Sequence, residues 1–89
     1  GVYLDKEVAK AVEEPGFSPE GLSPREREVL LLAGRGESSK EIASKLYISE
    51  RTVQTHLASI YDKLGARNKT EALLLALKYG VVTLEELLE

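Results

Sequence analysis

The chain has 89 residues, 43% of them apolar and 30% charged, with seven glycines and three prolines. That suffices for one small domain with a thin core, and excludes two catalytic lobes, a TIM barrel or a dinucleotide-binding fold. Zero cysteines exclude disulfides and cysteine-based metal or redox sites, one histidine leaves almost nothing for zinc, and no apolar run approaches the roughly 18 residues of a membrane span.

The N-terminus lacks a basic region followed by an apolar stretch, so no signal peptide is read. The opening Gly in place of Met reads as a fragment or a trimmed chain. A cytoplasmic location fits, with no cofactor, no metal and no membrane partner expected.

Residues 1–14 carry a short helical pattern. Residues 15–22 are punctuated by Pro and Gly without periodicity and read as a linker. A boundary at residue 22 therefore separates an interdomain linker with a short helix (1–22) from a helical domain (23–89). No segment alternates with period 2, so no sheet is expected.

The helical domain is written in its caps. Ser23, Pro24 and Glu26 form a capping box with proline at the first helical position, and Leu22 can staple onto the first turn. This helix should bury Val29, Leu30 and Ala33 and stop at Gly34–Gly36. Ser38 with Glu41 opens a second helix burying Ile42, Ala43 and Leu46. Ser49 opens a third, with Thr52 where an acid would complete the box. Asn68 with Glu71 opens a fourth, ended by Gly80, and Thr83 with Glu86 caps a short last one. Each cap contributes about 1 kcal/mol.

The net charge of −3 is unevenly spread. Residues 1–20 hold five acids and two bases, residues 35–70 hold seven bases and four acids, and residues 71–89 hold four acids and one base. The basic middle suits an anionic partner, and a merely solvated charged face would look the same.

The third helix places Val53, Leu57, Ile60 and Leu64 on one face at spacings of four, three and four, and ends at Gly65. Outward lie Glu50, Arg51, Gln54, Thr55, Ala58 and Asp62, all polar or small. The three residues Tyr47, Ile48 and Ser49 separate this helix from the shorter second one. Ile48 would plug the core, and Ser49 would cap the longer helix. That is the outline of a helix-turn-helix, whose second helix enters the major groove of DNA while helix N-termini meet phosphates. On periodicity and caps alone, a generic helical bundle fits equally well.

The residues also resemble a family. Leu22-Ser23-Pro24-Arg25-Glu26 with Glu28-Val29-Leu30, then Ser38-Ser39-Lys40-Glu41-Ile42-Ala43, are similar to the LuxR/NarL-type DNA-binding domain. So are Ile48 through His56, Ile60 with Lys63-Leu64-Gly65, and Asn68 through Ala72. The resemblance covers about residues 21–80. Residues 1–14 are similar to the segment that follows the receiver domain in two-component response regulators.

The resemblance implies an all-α, four-helix LuxR/NarL-type domain, with the N-terminal linker helix and a short C-terminal extra helix added. It implies a bacterial effector domain that binds double-stranded DNA sequence-specifically as a homodimer, regulates transcription, and partners the receiver domain of its full-length protein. Its recognition helix is residues 50–64. Carried onto this sequence, Arg51, Gln54, Thr55 and Ala58 are expected to face base edges, with Gln54 offering a bidentate amide to adenine. The family often has Lys at positions 54 and 58 and Asn at position 39, where this chain has Gln, Ala and Ser. Lys40, Thr52, His56, Lys63, Arg67 and Lys69 are expected to meet phosphates.

The fourth helix reads Leu73-Leu74-Leu75-Ala76-Leu77, apolar all round, so one stripe is left for a partner. Leu73, Ala76 and Leu77 are expected to face the core. Leu74, Leu75 and Lys78 are expected to form the dimer contact. The alternative is that Val2, Leu4, Val8, Val81 or Leu84 folds back over the stripe. The acidic tail from Val81 to Glu89 should pack on its own subunit or on the dimer mate. A protein-interaction bundle without DNA binding is the second functional class, given the loss of Lys at positions 54 and 58. An enzyme is excluded by the lack of any nucleophile, metal or cleft constellation, since Gly34-Arg35-Gly36 lacks the strand context of a phosphate loop.

Overall fold

The computed structural model describes residues 21–89. They form α1 (Pro24–Gly34), α2 (Ser39–Leu46), α3 (Glu50–Leu64), α4 (Lys69–Lys78) and α5 (Leu84–Leu88), with no strand among the described residues. The helical pattern expected in residues 1–14, with its Val2, Leu4 and Val8, lies outside the described residues.

The helix starts follow the cap chemistry. Ser23, Ser38 and Thr83 each accept the N–H three residues on, and Glu26, Glu41 and Glu86 each reach back to the cap N–H. Ser49 accepts the Thr52 N–H at 3.0 Å, and the two hydroxyls meet at 2.9 Å. The fourth start departs from the expected box. Asn68 accepts the Glu71 N–H at 2.9 Å, but Glu71 does not return to Asn68. Its carboxylate instead takes the Arg67 N–H at 2.8 Å and the Arg67 guanidinium at 2.7 Å. A cation one residue ahead of the cap outcompetes the neutral cap amide.

The core is Leu22, Val29, Leu30, Ala33, Ile42, Ala43, Val53, Ile60, Leu64, Ala72, Ala76, Val81 and Val82. Leu46, Ile48, Leu57, Leu73, Leu75 and Leu77 pack half-buried around it. Removing such a fully buried leucine as Leu30 from water contributes about 1.5–3 kcal/mol. Gly80 at φ +77 lets the Val81 N–H return to Ala76 O at 2.9 Å. That reversal buries Val81, and also Val82, which the sequence pattern did not single out. Leu84 is exposed instead of covering α4.

Arg27 of α1 and Arg35, just past its end, fasten the tail. Arg27 Nε donates to Val81 O at 2.8 Å, and its Nη2 meets Glu86 Oε2 at 2.5 Å. Arg35 donates twice to Glu86 O, at 3.0 and 2.8 Å. Gly34 completes the seam, because a Cβ there would stand 2.7 Å from Leu87 Cδ2 and 2.8 Å from Leu73 Cδ2. The acidic tail therefore packs on its own subunit through α1.

Among the described residues, one charged side chain lies in the core. Glu26 is 6% exposed. Its carboxylate accepts from Ser23 N at 2.9 Å, Ser59 Oγ at 2.6 Å and Lys63 Nζ at 2.8 Å. Burial alone would raise its pKa. The bonds from Lys63, Ser59 and Ser23 outweigh burial and hold it at about 2. A carboxyl depressed in the folded state stabilises fully above its unfolded value of about 4.5. That contribution is lost as pH falls from there toward about 2, and amounts to about 3 kcal/mol. Glu26→Gln is therefore expected to lower stability at pH 7 by about 2–3 kcal/mol in urea denaturation. At pH 3 the difference from wild type should narrow, with part of the acid slope remaining because Glu71 and Glu86 are also depressed by their arginine partners.

The turn carries a second local cost. Tyr47 is the only non-glycine with positive φ among the described residues, at φ 58 and ψ 44, and is 94% exposed. The left-handed turn lets the Ile48 N–H reach Ala43 O at 3.0 Å and turns Ile48 inward. Such a conformation costs a side-chain-bearing residue about 1–2 kcal/mol. Tyr47→Gly is expected to raise the denaturation midpoint modestly, because lost strain outweighs added chain entropy. Tyr47→Val, β-branched at the same angles, should lower it.

Candidate nucleic-acid interface

The helix pair α2–α3 presents one continuous polar face. Val53, Ile60 and Leu64 point into the core, with Leu57 half-buried beside them. Glu50, Arg51, Gln54, Thr55, Ala58 and Asp62 are all exposed. No large apolar side chain interrupts this outward face, and α3 is long enough, at 15 residues, to lie along a groove.

Its side chains are partly committed. The Gln54 amide nitrogen donates to Ser39 Oγ, tying α3 to the first residue of α2. An amide carries two N–H donors, so one N–H and Oε1 remain. Thr55 Oγ1 donates to Arg51 O at 3.0 Å, which turns the hydroxyl back to the helix and leaves the methyl outward. Thr52 and His56 are half-buried on the flank.

The cations divide into two groups, a division that spacing did not reveal. Four of the seven bases in residues 35–70 are held by carboxylates. Arg35 meets Glu89 at 3.5 Å, Lys45 meets Glu37 at 2.5 Å, Lys63 meets Glu26 at 2.8 Å and Arg67 meets Glu71 at 2.7 Å. Among the described residues, Lys40, Arg51 and Lys69 have no carboxylate partner, and Lys69 Nζ lies 3.4 Å from Ala33 O. Lys40 lies in the first turn of α2 and Arg51 in the first turn of α3, so both stand at helix N-termini. Lys63 and Arg67, expected from sequence at phosphates, are here bound to carboxylates of α1 and α4.

On α4, Ala72 and Ala76 are buried, while Leu73, Leu75 and Leu77 are half-buried against the core. Leu74 is 61% exposed, and Lys78 is exposed with its Nζ 5.5 Å from the centre of the Tyr79 ring. The expected stripe of Leu74, Leu75 and Lys78 thus narrows outward to Leu74 and Lys78.

A helix-turn-helix with such a face has recognisable relatives. Residues 20–76 match the family described as bacterial regulatory proteins, luxR family. The chain is 39% identical over 81 residues to the transcriptional activator protein BjaR1 of Bradyrhizobium diazoefficiens, covering 91% of this chain and 34% of that protein. It is 41% identical over 63 residues to the spore germination protein GerE of Bacillus subtilis, covering 71% of this chain and 85% of that protein. Among solved structures it is similar to the response regulator ChrA of a heme-sensing two-component system. There the TM-score is 0.67 and the identity 42%, over 89% of this chain and 40% of that one. The chain belongs to the luxR family of bacterial regulatory proteins, and its fold is that family's DNA-binding helix-turn-helix. It spans about a third of the length of BjaR1.

The paired and unpaired lysines should separate in experiment. Lys63→Ala strips a buried carboxylate of its cation and is expected to cost about 1–3 kcal/mol in thermal or urea unfolding. Lys40→Ala, on an exposed unpaired side chain, should change stability by less than about 0.5 kcal/mol.

Proposed function

We propose that residues 23–89 are the DNA-binding effector unit of a response regulator, joined through residues 1–22 to a receiver domain, and that they act in transcription from the bacterial cytoplasm. In this reading α3 lies in the major groove. Arg51, Gln54, Thr55 and Ala58 face base edges there. Gln54 uses its remaining N–H and Oε1 on a base, and Thr55 offers its methyl to a thymine. Lys40 and Lys69, with Thr52 and His56 on the flank, meet phosphates. Lys63 and Arg67 reach phosphates only if they exchange their carboxylate partners.

The observation that carries this reading is the outward face of α3. It is wholly polar or small, flanked by two cations at helix N-termini whose charge the fold leaves uncompensated. Two copies pair through α4, where Leu74 stands exposed beside Lys78, and two copies read two half-sites. The resemblance to ChrA and BjaR1, named as a response regulator and a transcriptional activator, supports the assignment of the whole protein.

Fluorescence anisotropy with a duplex selected from a random pool tests it. Tight binding that weakens steeply with salt is expected, with log K falling by about 0.9 per phosphate contact for each log unit of salt. Lys40→Ala should weaken all duplexes about equally and reduce that slope by about one contact. Selection of no duplex, together with self-association that depends on Leu74, would leave only the protein-interaction reading.

A further inference from the structure

We infer that Ser39, which lies on α2 outside the recognition helix, sharpens base specificity by holding the Gln54 amide in place beside α2. The inference rests on the DNA-binding reading above.

Gln54 is exposed on α3, and its side chain is long, so an isolated amide there would rotate among many orientations. Its two ends are also opposite in character: Oε1 accepts and the nitrogen donates. Reversing the amide end for end therefore changes the base pair it matches. In the major groove, only adenine offers an acceptor and a donor, N7 and N6–H₂, in the spacing an amide can bridge.

The structure supplies the constraint. Ser39 Oγ accepts one N–H of the Gln54 amide across 15 positions of chain, joining the two helices of the motif. A hydroxyl donates as well as accepts, so it can hold either end of the amide, and what the bond fixes is the place of the amide beside α2. With the nitrogen toward Ser39, one N–H and Oε1 stay available to a base. The ordering cost of a long side chain is met before DNA arrives. Ser39 itself is anchored: it is half-buried, and it follows the Ser38 cap, which both accepts the Glu41 N–H at 3.1 Å and is held by Glu41 at 2.8 Å.

Ser39 thus acts through Gln54 rather than on the base, which makes it a positioning residue. The phosphate-directed charge beside it, Lys40, is independent of this bond. Ser39 should consequently affect which sequence is preferred, and Lys40 how tightly any sequence is held.

The test uses the full chain, the duplex it selects from a random pool, and that duplex's single-base-pair variants. Ser39→Ala is expected to reduce discrimination at the base pair facing Gln54 by roughly two- to tenfold, the worth of ordering one long side chain, with the salt slope unchanged. Ser39→Thr, which keeps the hydroxyl, should restore discrimination. In a Gln54→Ala background, Ser39→Ala should change no base preference. The inference is overturned if Ser39→Ala leaves the preference profile as in wild type, or weakens every duplex by the same factor. Failure of the underlying reading looks different, because the wild-type chain itself then selects no duplex.

Discussion

The Glu26 carboxylate ties the N-terminus of α1 to the C-terminal half of α3. It takes the cap N–H of Ser23, the hydroxyl of Ser59 and the ammonium of Lys63, and its side chain is 7% exposed. A buried charge that lacked any of these partners would be costly, so the bonds stand or fall together. Their consequence is positional. α3 can rotate about its axis only by breaking them, and the rotation of α3 decides which side chains look outward. Core packing of Val53 and Ile60 is adaptable by comparison, since neighbouring aliphatic contacts are non-directional.

From that anchored helix the rest is arranged by exclusion. α1 and its cap residue also hold the acidic tail, through Arg27, Arg35 and the close approach at Gly34, which keeps Glu86 and Glu89 bound to arginines of the same chain. Acids so occupied are kept on the α1–α5 seam, paired instead of unpaired. Four bases of the central region are likewise neutralised locally. The cations left without a carboxylate partner are few, and Lys40 and Arg51 sit at the two helix starts of the motif. A chain with a net charge of −3 thereby keeps unpaired cations at both helix starts of the motif, beside the exposed acids Glu50 and Asp62. Affinity on such a face depends less on the count of lysines than on which of them have partners.

Much of this was legible in the sequence. Caps at Ser23, Ser38, Ser49, Asn68 and Thr83 mark every helix start among the described residues, because capping is local chemistry within four residues. The spacing of Val53, Leu57, Ile60 and Leu64 marks the buried face of α3. What sequence did not reveal came from contacts between residues far apart in the chain. Glu26 reads as a cap residue, and nothing in its neighbourhood announces Ser59 or Lys63. Ser39 shows no pattern that would join it to Gln54. Glu71 left its cap for Arg67, a local contest settled by charge. Val82 escaped because the reversal at Gly80 inserts both valines of the pair, where a helical period would place one.

A titration of isotope-labelled protein with a short selected duplex, followed by NMR, tests the central claim most directly. Amide shifts confined to residues 49–58 and to Ser39 and Lys40, fading as salt rises, are expected if α3 and the start of α2 form the interface. Shifts confined to residues 73–84, dependent on protein concentration and indifferent to duplex, would contradict it.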